Sequence, residues 1–233
     1  MIKVLIRKIQ KAYNTGGIIH ILTVCKKSIF NFLSGSQKGD NSDFDNTFGI
    51  NTSGIISSVN LDSDSNNWEN KHAYEPSNKE IFFHLLSKIP LEFPSYTFID
   101  IGSGKGAVLF YATNFNFKEI IGVEYSSTLC DIATSNIESF NKISPSTASM
   151  KIVNSDVMDY QLPNGNLLIY LYNPFNEKIL VPFIESVIKK KRANSSNIWI
   201  LYYTPLFKQF LDQFKELETI ESCDEFVIYK LIT

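Results

Sequence analysis

The chain has 233 residues, room for one well-buried domain with an extension but not for two full-sized domains. With 44% hydrophobic and 20% charged residues and a formal net charge of -2, it is neither a disordered chain nor one that binds nucleic acid through overall positive charge, so no DNA partner is expected. Cys25, Cys130 and Cys223 form no C-x-x-C pair and the histidines do not flank them at metal-ligand spacing, which reads as a reduced, metal-free, cytoplasmic protein.

The N-terminal part has its own charge pattern. Residues 1–39 carry Lys3, Arg7, Lys8, Lys11, Lys26, Lys27 and Lys38 with no acid, whereas residues 40–70 carry Asp40, Asp43, Asp45, Asp62, Asp64 and Glu69 with no base. Ile2, Leu5, Ile6 and Ile9 follow the spacing of an amphipathic helix, and Ile18, Leu22, Cys25, Ile29 and Phe32 follow a second one. Two readings stand for residues 1–33: peripheral attachment to an anionic membrane surface or an acidic partner, or a helical hairpin that caps the next domain with a solvated basic face. No apolar run reaches the roughly 18 residues that span a bilayer. The Ser-, Asn- and Asp-rich stretch 34–70 reads as a connector, either disordered or acting as a lid, with at most one short hairpin. The predicted organisation is therefore a helical extension and connector over 1–73 and a folded domain over 74–233.

From Tyr74 the pattern becomes regular. A helix is expected from Pro76-Ser77-Asn78 to about Lys88, with capping by Ser77 as one of two readings of the segment before it, followed by Ile89-Pro90 as a stop. Strands are expected at 96–101, 118–124, 149–153, 167–172 and 197–203, and helices at 104–115, 126–141, 177–192 and 205–212. Alternation of this kind builds a doubly wound, mostly parallel α/β sheet. The last two runs, 216–221 and 225–232, are separated only by Ser222-Cys223-Asp224, too little for a crossover, and so form a C-terminal antiparallel hairpin that completes seven strands. The basic run Lys189 to Arg192 falls at a helix C-terminus, where it complements the helix dipole.

The richest segment is Phe98-Ile99-Asp100-Ile101-Gly102-Ser103-Gly104-Lys105-Gly106, an apolar strand that ends in a glycine-punctuated turn opening into a helix. Alternate glycines allow a sharp turn and close approach of a ligand to the backbone. The next strand ends at Glu124, 20 residues beyond Gly104, a spacing at which a carboxylate meets a ribose diol. The third strand is followed by Asn154-Ser155-Asp156-Val157, and the fourth ends Tyr170-Leu171-Tyr172-Asn173-Pro174-Phe175.

Taken in order at strand ends, these residues resemble the class I S-adenosylmethionine (SAM) dependent methyltransferases over about Tyr74 to Thr233. The resemblance implies that SAM is the cofactor and that Gly102, Ser103, Gly104 and Gly106 wrap its methionine part, with Asp100 near the amino group. It further implies Glu124 at the ribose, Asp156 with Val157 at the adenine, and Tyr125 and Ser126 flanking the base. Asn173-Pro174-Phe175 is similar to a shortened N-P-P-[FY] signature of amino-group methyltransferases, and also to the non-SET histone lysine methyltransferases. On that resemblance Asn173 and Tyr172 are the catalytic candidates, Asn173 also borders the cofactor, and Pro174 and Phe175 contact the acceptor. Asn173 as a cap of the following helix is the alternative. Tyr170, Tyr172, Phe175, Tyr202 and Tyr203 are candidates for an aromatic pocket around an amine, a protein lysine or a small amine, of otherwise unspecified identity. The segment Tyr74 to Ser77 either folds over the methionine part or simply starts the helix.

Two other functions fit parts of the pattern. Gly102-x-Gly104-x-x-Ala107 also matches the dinucleotide fingerprint of an NAD-type oxidoreductase, and a SAM-fold scaffold without catalysis, tethered at a membrane by the basic helices, is the second. A Walker phosphate loop is excluded, since Gly104-Lys105 is followed by Gly106 and not by Ser or Thr.

Overall fold

A computed structural model describes residues 41–56, 74–193 and 196–232. The two predicted basic helices lie outside the described residues, as does much of the predicted connector. The elements in chain order are α1 (Ser42–Phe48), α2 (Lys79–Ser87), β1 (Tyr96–Ile101), α3 (Ala107–Ala112), β2 (Glu119–Glu124), α4 (Ser127–Ile143), β3 (Ser149–Asn154), β4 (Asn166–Tyr172), α5 (Glu177–Ala193), β5 (Ile198–Tyr203), α6 (Lys208–Leu211), β6 (Leu217–Ser222) and β7 (Phe226–Leu231). Among the described residues no helix is long and apolar enough to cross a membrane.

The seven strands form one sheet in the order β3-β2-β1-β4-β5-β7-β6. The first five are mutually parallel, and β7 runs antiparallel both to β5 and to the edge strand β6. The order reverses between β1 and β4, which opens a crevice beyond their carboxyl ends, the usual ligand position in a doubly wound sheet. The predicted α/β architecture and its closing hairpin are thus present.

Both faces of the sheet are covered, so its central strands are buried throughout and their side chains alternate between two cores. One core joins Ile99, Ile101, Ile169, Leu171, Ile200 and Tyr202 to Leu180, Phe183, Ile184 and Val187 of α5. The other joins Phe98, Leu168, Tyr170, Leu201 and Tyr203 to Phe82, Leu85 and Leu86 of α2 and to Leu109 and Tyr111 of α3. This second core is dense in rings. Phe82 alone meets Phe83, Phe98, Tyr111, Phe115 and Tyr170 with centroids between 5.6 and 6.2 Å.

Three local expectations change. The stretch predicted as a connector contains a helix, α1, whose Phe44 packs on Phe110 and Tyr111 and whose Phe48 packs on Phe140. Gly49 ends it in the left-handed conformation that glycine adopts without strain. The helix expected from residue 104 begins only at Ala107, because Gly102, Gly104 and Gly106 all have positive φ and consume those positions in the turn. The cap of α2 is Asn78, which accepts from the Ile81 amide at 2.9 Å, and not Ser77, whose hydroxyl is bonded instead to the Tyr170 phenol at 3.1 Å.

Since Phe82 is fully buried at the centre of the ring cluster, Phe82→Ala should lower the unfolding free energy by about 3–5 kcal/mol. Urea unfolding followed by circular dichroism measures this. A loss under about 1 kcal/mol would mean that the cluster is not the packing centre of that face.

Candidate cofactor and acceptor site

The glycine turn after β1 is moulded onto the end of β2. The Gly102 and Ser103 amides both donate to the Val123 carbonyl, at 2.8 and 3.1 Å. The Gly104 amide donates to one carboxylate oxygen of Glu124 at 2.8 Å, and the Ser126 amide, at the start of α4, donates to the other at 2.9 Å. Burial raises the Glu124 carboxyl above its ordinary range, while the amides of Ser126, Gly104 and Tyr125 act in the opposite direction. Glu124 thereby joins the turn to the helix on its far side.

Each glycine has a distinct spatial reason. A Cβ on Gly102 would lie 2.8 Å from Cβ of Pro174, so the turns after β1 and β4 touch there. A Cβ on Gly104 would lie 2.3 Å from the Tyr74 ring, so this glycine admits an aromatic ring. Gly122, inside β2, leaves space for Ser103, whose buried hydroxyl has no hydrogen-bond partner and lies 2.6 Å from where the missing Cβ would be. The main chain of Ser103 is likewise taken up within the turn, its carbonyl accepting from the Gly106 amide at 2.9 Å.

Asp100 closes the floor of the turn, only 3% exposed and in register with Gly122 on one side and Tyr170 on the other. Burial, and secondarily the charge of Glu124, push its carboxyl up to about 8. On the far rim, the Asn154 amide donates to the carbonyls of Glu124 and Tyr125, which draws the turns after β2 and β3 together. Tyr125 is half exposed, Val157 is buried, and one Asp156 oxygen accepts from the Met158 amide at 2.9 Å.

At the end of β4, Asn173 has φ of 41° and its Oδ1 accepts from the Tyr202 hydroxyl at 3.2 Å. The capping alternative for Asn173 falls away: Asn176 starts α5, its Oδ1 accepting from the Lys178 amide and its carbonyl from the Leu180 amide. The five candidate aromatics do not share one pocket. Strand alternation places Tyr170, Tyr172 and Tyr203 with the α2 side, and Tyr202 and Phe175 with the α5 side. Tyr172 and Tyr203 stack at 4.6 Å, and burial raises both phenols, that of Tyr203 to about 12. The charge of Glu75 acts on both of these phenols and that of Glu225 on Tyr203, which places carboxylates beside the pair.

The decisive features are the strand order with an antiparallel seventh strand, the glycine turn bound to an acidic β2 end, and an Asn turn touching it. Residues 58–155 also match the family described as histone methylation protein DOT1. Strand order and turn together give the chain the fold of the class I SAM-dependent methyltransferases. A dinucleotide sheet would continue 3-2-1-4-5-6 in parallel, and here the sixth position is held by antiparallel β7.

The chain is 32% identical over 127 residues to an H3 lysine-79 specific histone-lysine N-methyltransferase of Dictyostelium discoideum, an alignment that covers 49% of this chain and 7% of that protein. Among solved structures it is similar to a putative SAM-dependent methyltransferase of Methanococcus maripaludis (19% identity, 66% and 83% of the two chains, TM-score 0.47). It is also similar to an RNA methyltransferase of Salinibacter ruber in complex with S-adenosylhomocysteine (13%, 67% and 92%, TM-score 0.47).

The residues present fit SAM. Gly102 is exposed at the crevice, and Asp100 is a buried carboxyl whose ionised form burial and Glu124 both oppose, so its charge calls for a cationic partner. The ammonium of a methionine moiety would supply one. The residues that sequence reasoning did not single out are Asp45, Asn51 to Ser53, Lys105 and Asn136, packed behind the turn, together with Thr204 beyond β5.

In the folded protein without cofactor, burial holds the Asp100 proton up to about pH 8, whereas an unfolded chain releases it near 3.8. Stability should therefore fall as pH rises between these values, because the native state holds the extra proton. Affinity for S-adenosylhomocysteine should move in the opposite direction, rising by up to about tenfold per pH unit towards pH 8, with proton release on binding. Calorimetry in buffers of different ionisation enthalpy reads both. A pH-independent affinity, or an Asp100→Asn variant with the same slope as wild type, would refute this assignment.

Proposed function

We propose that this protein transfers a methyl group from SAM to the side-chain amine of a protein lysine. The observation that carries the reading is Asn173, held at positive φ and touching the glycine turn through Pro174, beside the stacked pair of Tyr172 and Tyr203. The histone-lysine specificity of the Dictyostelium relative supports a lysine acceptor, and the chain corresponds to 7% of that protein's length.

Bound SAM supplies a methyl group on a positively charged sulfur, which leaves to a nucleophile in line. The residues of this chain would do the rest. Asp100 holds the methionine ammonium, Glu124 faces the ribose, and Asp156 and Val157 form the adenine rim. Asn173 Oδ1 has a second lone pair beyond the one occupied by Tyr202, and it orients the attacking amine. A lysine amine, with a reference pKa near 10.4, must lose its proton before attack. Glu75 and Glu225 attract the ammonium to the mouth, and the Tyr172 and Tyr203 rings desolvate it, which favours the neutral form. Fixing the amine in line with the methyl contributes through positioning, and the mechanism needs no nucleophilic side chain.

Incubation of a cell lysate with labelled SAM and the purified protein, followed by peptide mass spectrometry, should reveal methyl-lysine. Label only in RNA or in small molecules would overturn the acceptor assignment. Asn173→Ala should lower kcat by roughly a hundredfold while S-adenosylhomocysteine binds as before. An unchanged kcat would remove Asn173 from the mechanism.

A further inference from the structure

Behind the glycine turn, residues Asn51 to Ser53 run as a short strap without belonging to any strand or helix. All of its main-chain polar groups are bonded by side chains. The Asn51 amide donates to Asn136 Oδ1 and its carbonyl accepts from Asn136 Nδ2, at 2.8 and 3.0 Å. The Thr52 and Ser53 amides donate to Asp45 Oδ2 at 2.8 and 2.7 Å. The Thr52 carbonyl accepts from the Tyr74 hydroxyl at 2.6 Å, and the Ser53 carbonyl accepts from Lys105 Nζ at 2.6 Å. Buried backbone is ordinarily paired with other backbone, so a strap read entirely by side chains is specified residue by residue.

Two of those side chains belong to the cofactor turn or rest on it. Lys105 stands between Gly104 and Gly106 and is 4% exposed. The ammonium binds Asn51 Oδ1 at 3.0 Å and lies 5.3 Å from the Tyr74 ring centroid. The Lys105 carbonyl accepts from the same Asn136 amide group that grips Asn51, at 3.0 Å. Tyr74 lies against Gly104 where any Cβ would collide. Both the main chain and the side chain of Lys105 thus fasten the strap to the turn, and Asp45 sets a buried negative charge behind it.

We infer that Lys105 is a positioning residue for the methionine end of the cofactor site: by locking the 51–53 strap to the glycine turn, it fixes the path of the turn's main chain beside Asp100 and Gly102. The inference rests on the reading of this turn as part of a SAM site. Lys105 does not touch the cofactor, so its loss should act on the methionine end and spare the adenosine end, which is built from the turns after β2 and β3.

The test compares two ligands on Lys105→Met and wild type. S-adenosylhomocysteine, which carries the methionine part, should bind about tenfold or more weakly to the variant, the scale of a lost hydrogen bond to a charged group. Adenosine should bind equally to both. Equal weakening of the two ligands would show general loosening, and unchanged S-adenosylhomocysteine affinity would show that the lysine does not position the turn. Either result overturns the inference. If the variant does not fold, hydrogen exchange on wild type decides: S-adenosylhomocysteine should slow the amides of Asn51 to Ser53 together with those of Gly102 to Gly106, and no slowing at the strap refutes the coupling. Wild-type protein that binds no S-adenosylhomocysteine would instead refute the cofactor reading itself, and this inference with it.

Discussion

Two main-chain amides converging on the carboxylate of Glu124 hold the working end of this protein in shape. One comes from the turn after β1 and the other from the start of α4, so one side chain at the end of β2 joins the elements on both sides of it. The Val123 carbonyl adds two more bonds to the same turn. The conformation that would receive a cofactor is therefore built by the protein before any ligand is present, which reduces the ordering cost of binding. The arrangement has an electrostatic consequence. Asp100 and Glu124 are two carboxylates in one poorly solvated enclosure, each raised by burial, and the first is raised further by the second. Such an enclosure favours a cationic ligand because that ligand stabilises the ionised forms that burial opposes.

The sheet contributes through its alternation. Tyr170 and Tyr172 on β4 face α2 with Tyr203 of β5, while Tyr202 faces α5. Two chemically similar neighbours, Tyr202 and Tyr203, consequently act on opposite sides of Asn173. Tyr202 bonds to its Oδ1 from one side, and Tyr203 stacks with Tyr172 on the other. The Asn is therefore supported from behind while an aromatic surface stands in front of it.

The strands and the glycine turn were legible in the sequence because each is a local pattern. Tyr96–Ile101 is read directly from its apolar run, the Asp-x-Gly-x-Gly-x-Gly spacing requires a turn, and Ser222 to Asp224 leave space only for a hairpin. The aromatic grouping was misjudged because a list of tyrosines does not say which face each occupies until register and side are known. The connector between the extension and the domain was misjudged for another reason. Its polar composition suits a solvated loop, but here polar side chains are ligands for backbone: Asp45 accepts from the amides of Thr52 and Ser53, while Lys105 and Asn136 lie 52 and 85 residues away from Ser53 and Asn51, the strap positions they hold. Composition cannot distinguish a polar residue that meets water from one that meets a buried amide. One local hint existed, a lysine between two turn glycines.

The closing hairpin also reaches the site. Asn173 and Thr204 follow directly on Tyr172 and Tyr203, which are paired in the sheet, and both adopt positive φ, 41° and 51°. Asn tolerates that region, whereas a β-branched Thr there costs on the order of 1–3 kcal/mol and persists only where its surroundings impose it. What imposes it is the hairpin: the Thr204 amide donates to the Glu225 carbonyl at 2.7 Å. Two adjacent strands are thereby ended at the same level, which keeps the crevice open above β4 and β5. The bond that holds Thr204 also fixes Glu225, whose charge is felt by Tyr203. A parallel strand in the place of β7 would begin its run at the other end of the sheet, and the turn before it, which here supplies Glu225 to Thr204, would lie there instead. The antiparallel closure that distinguishes this sheet from a dinucleotide fold is therefore also what brings Thr204 and the charge of Glu225 to the ends of β4 and β5.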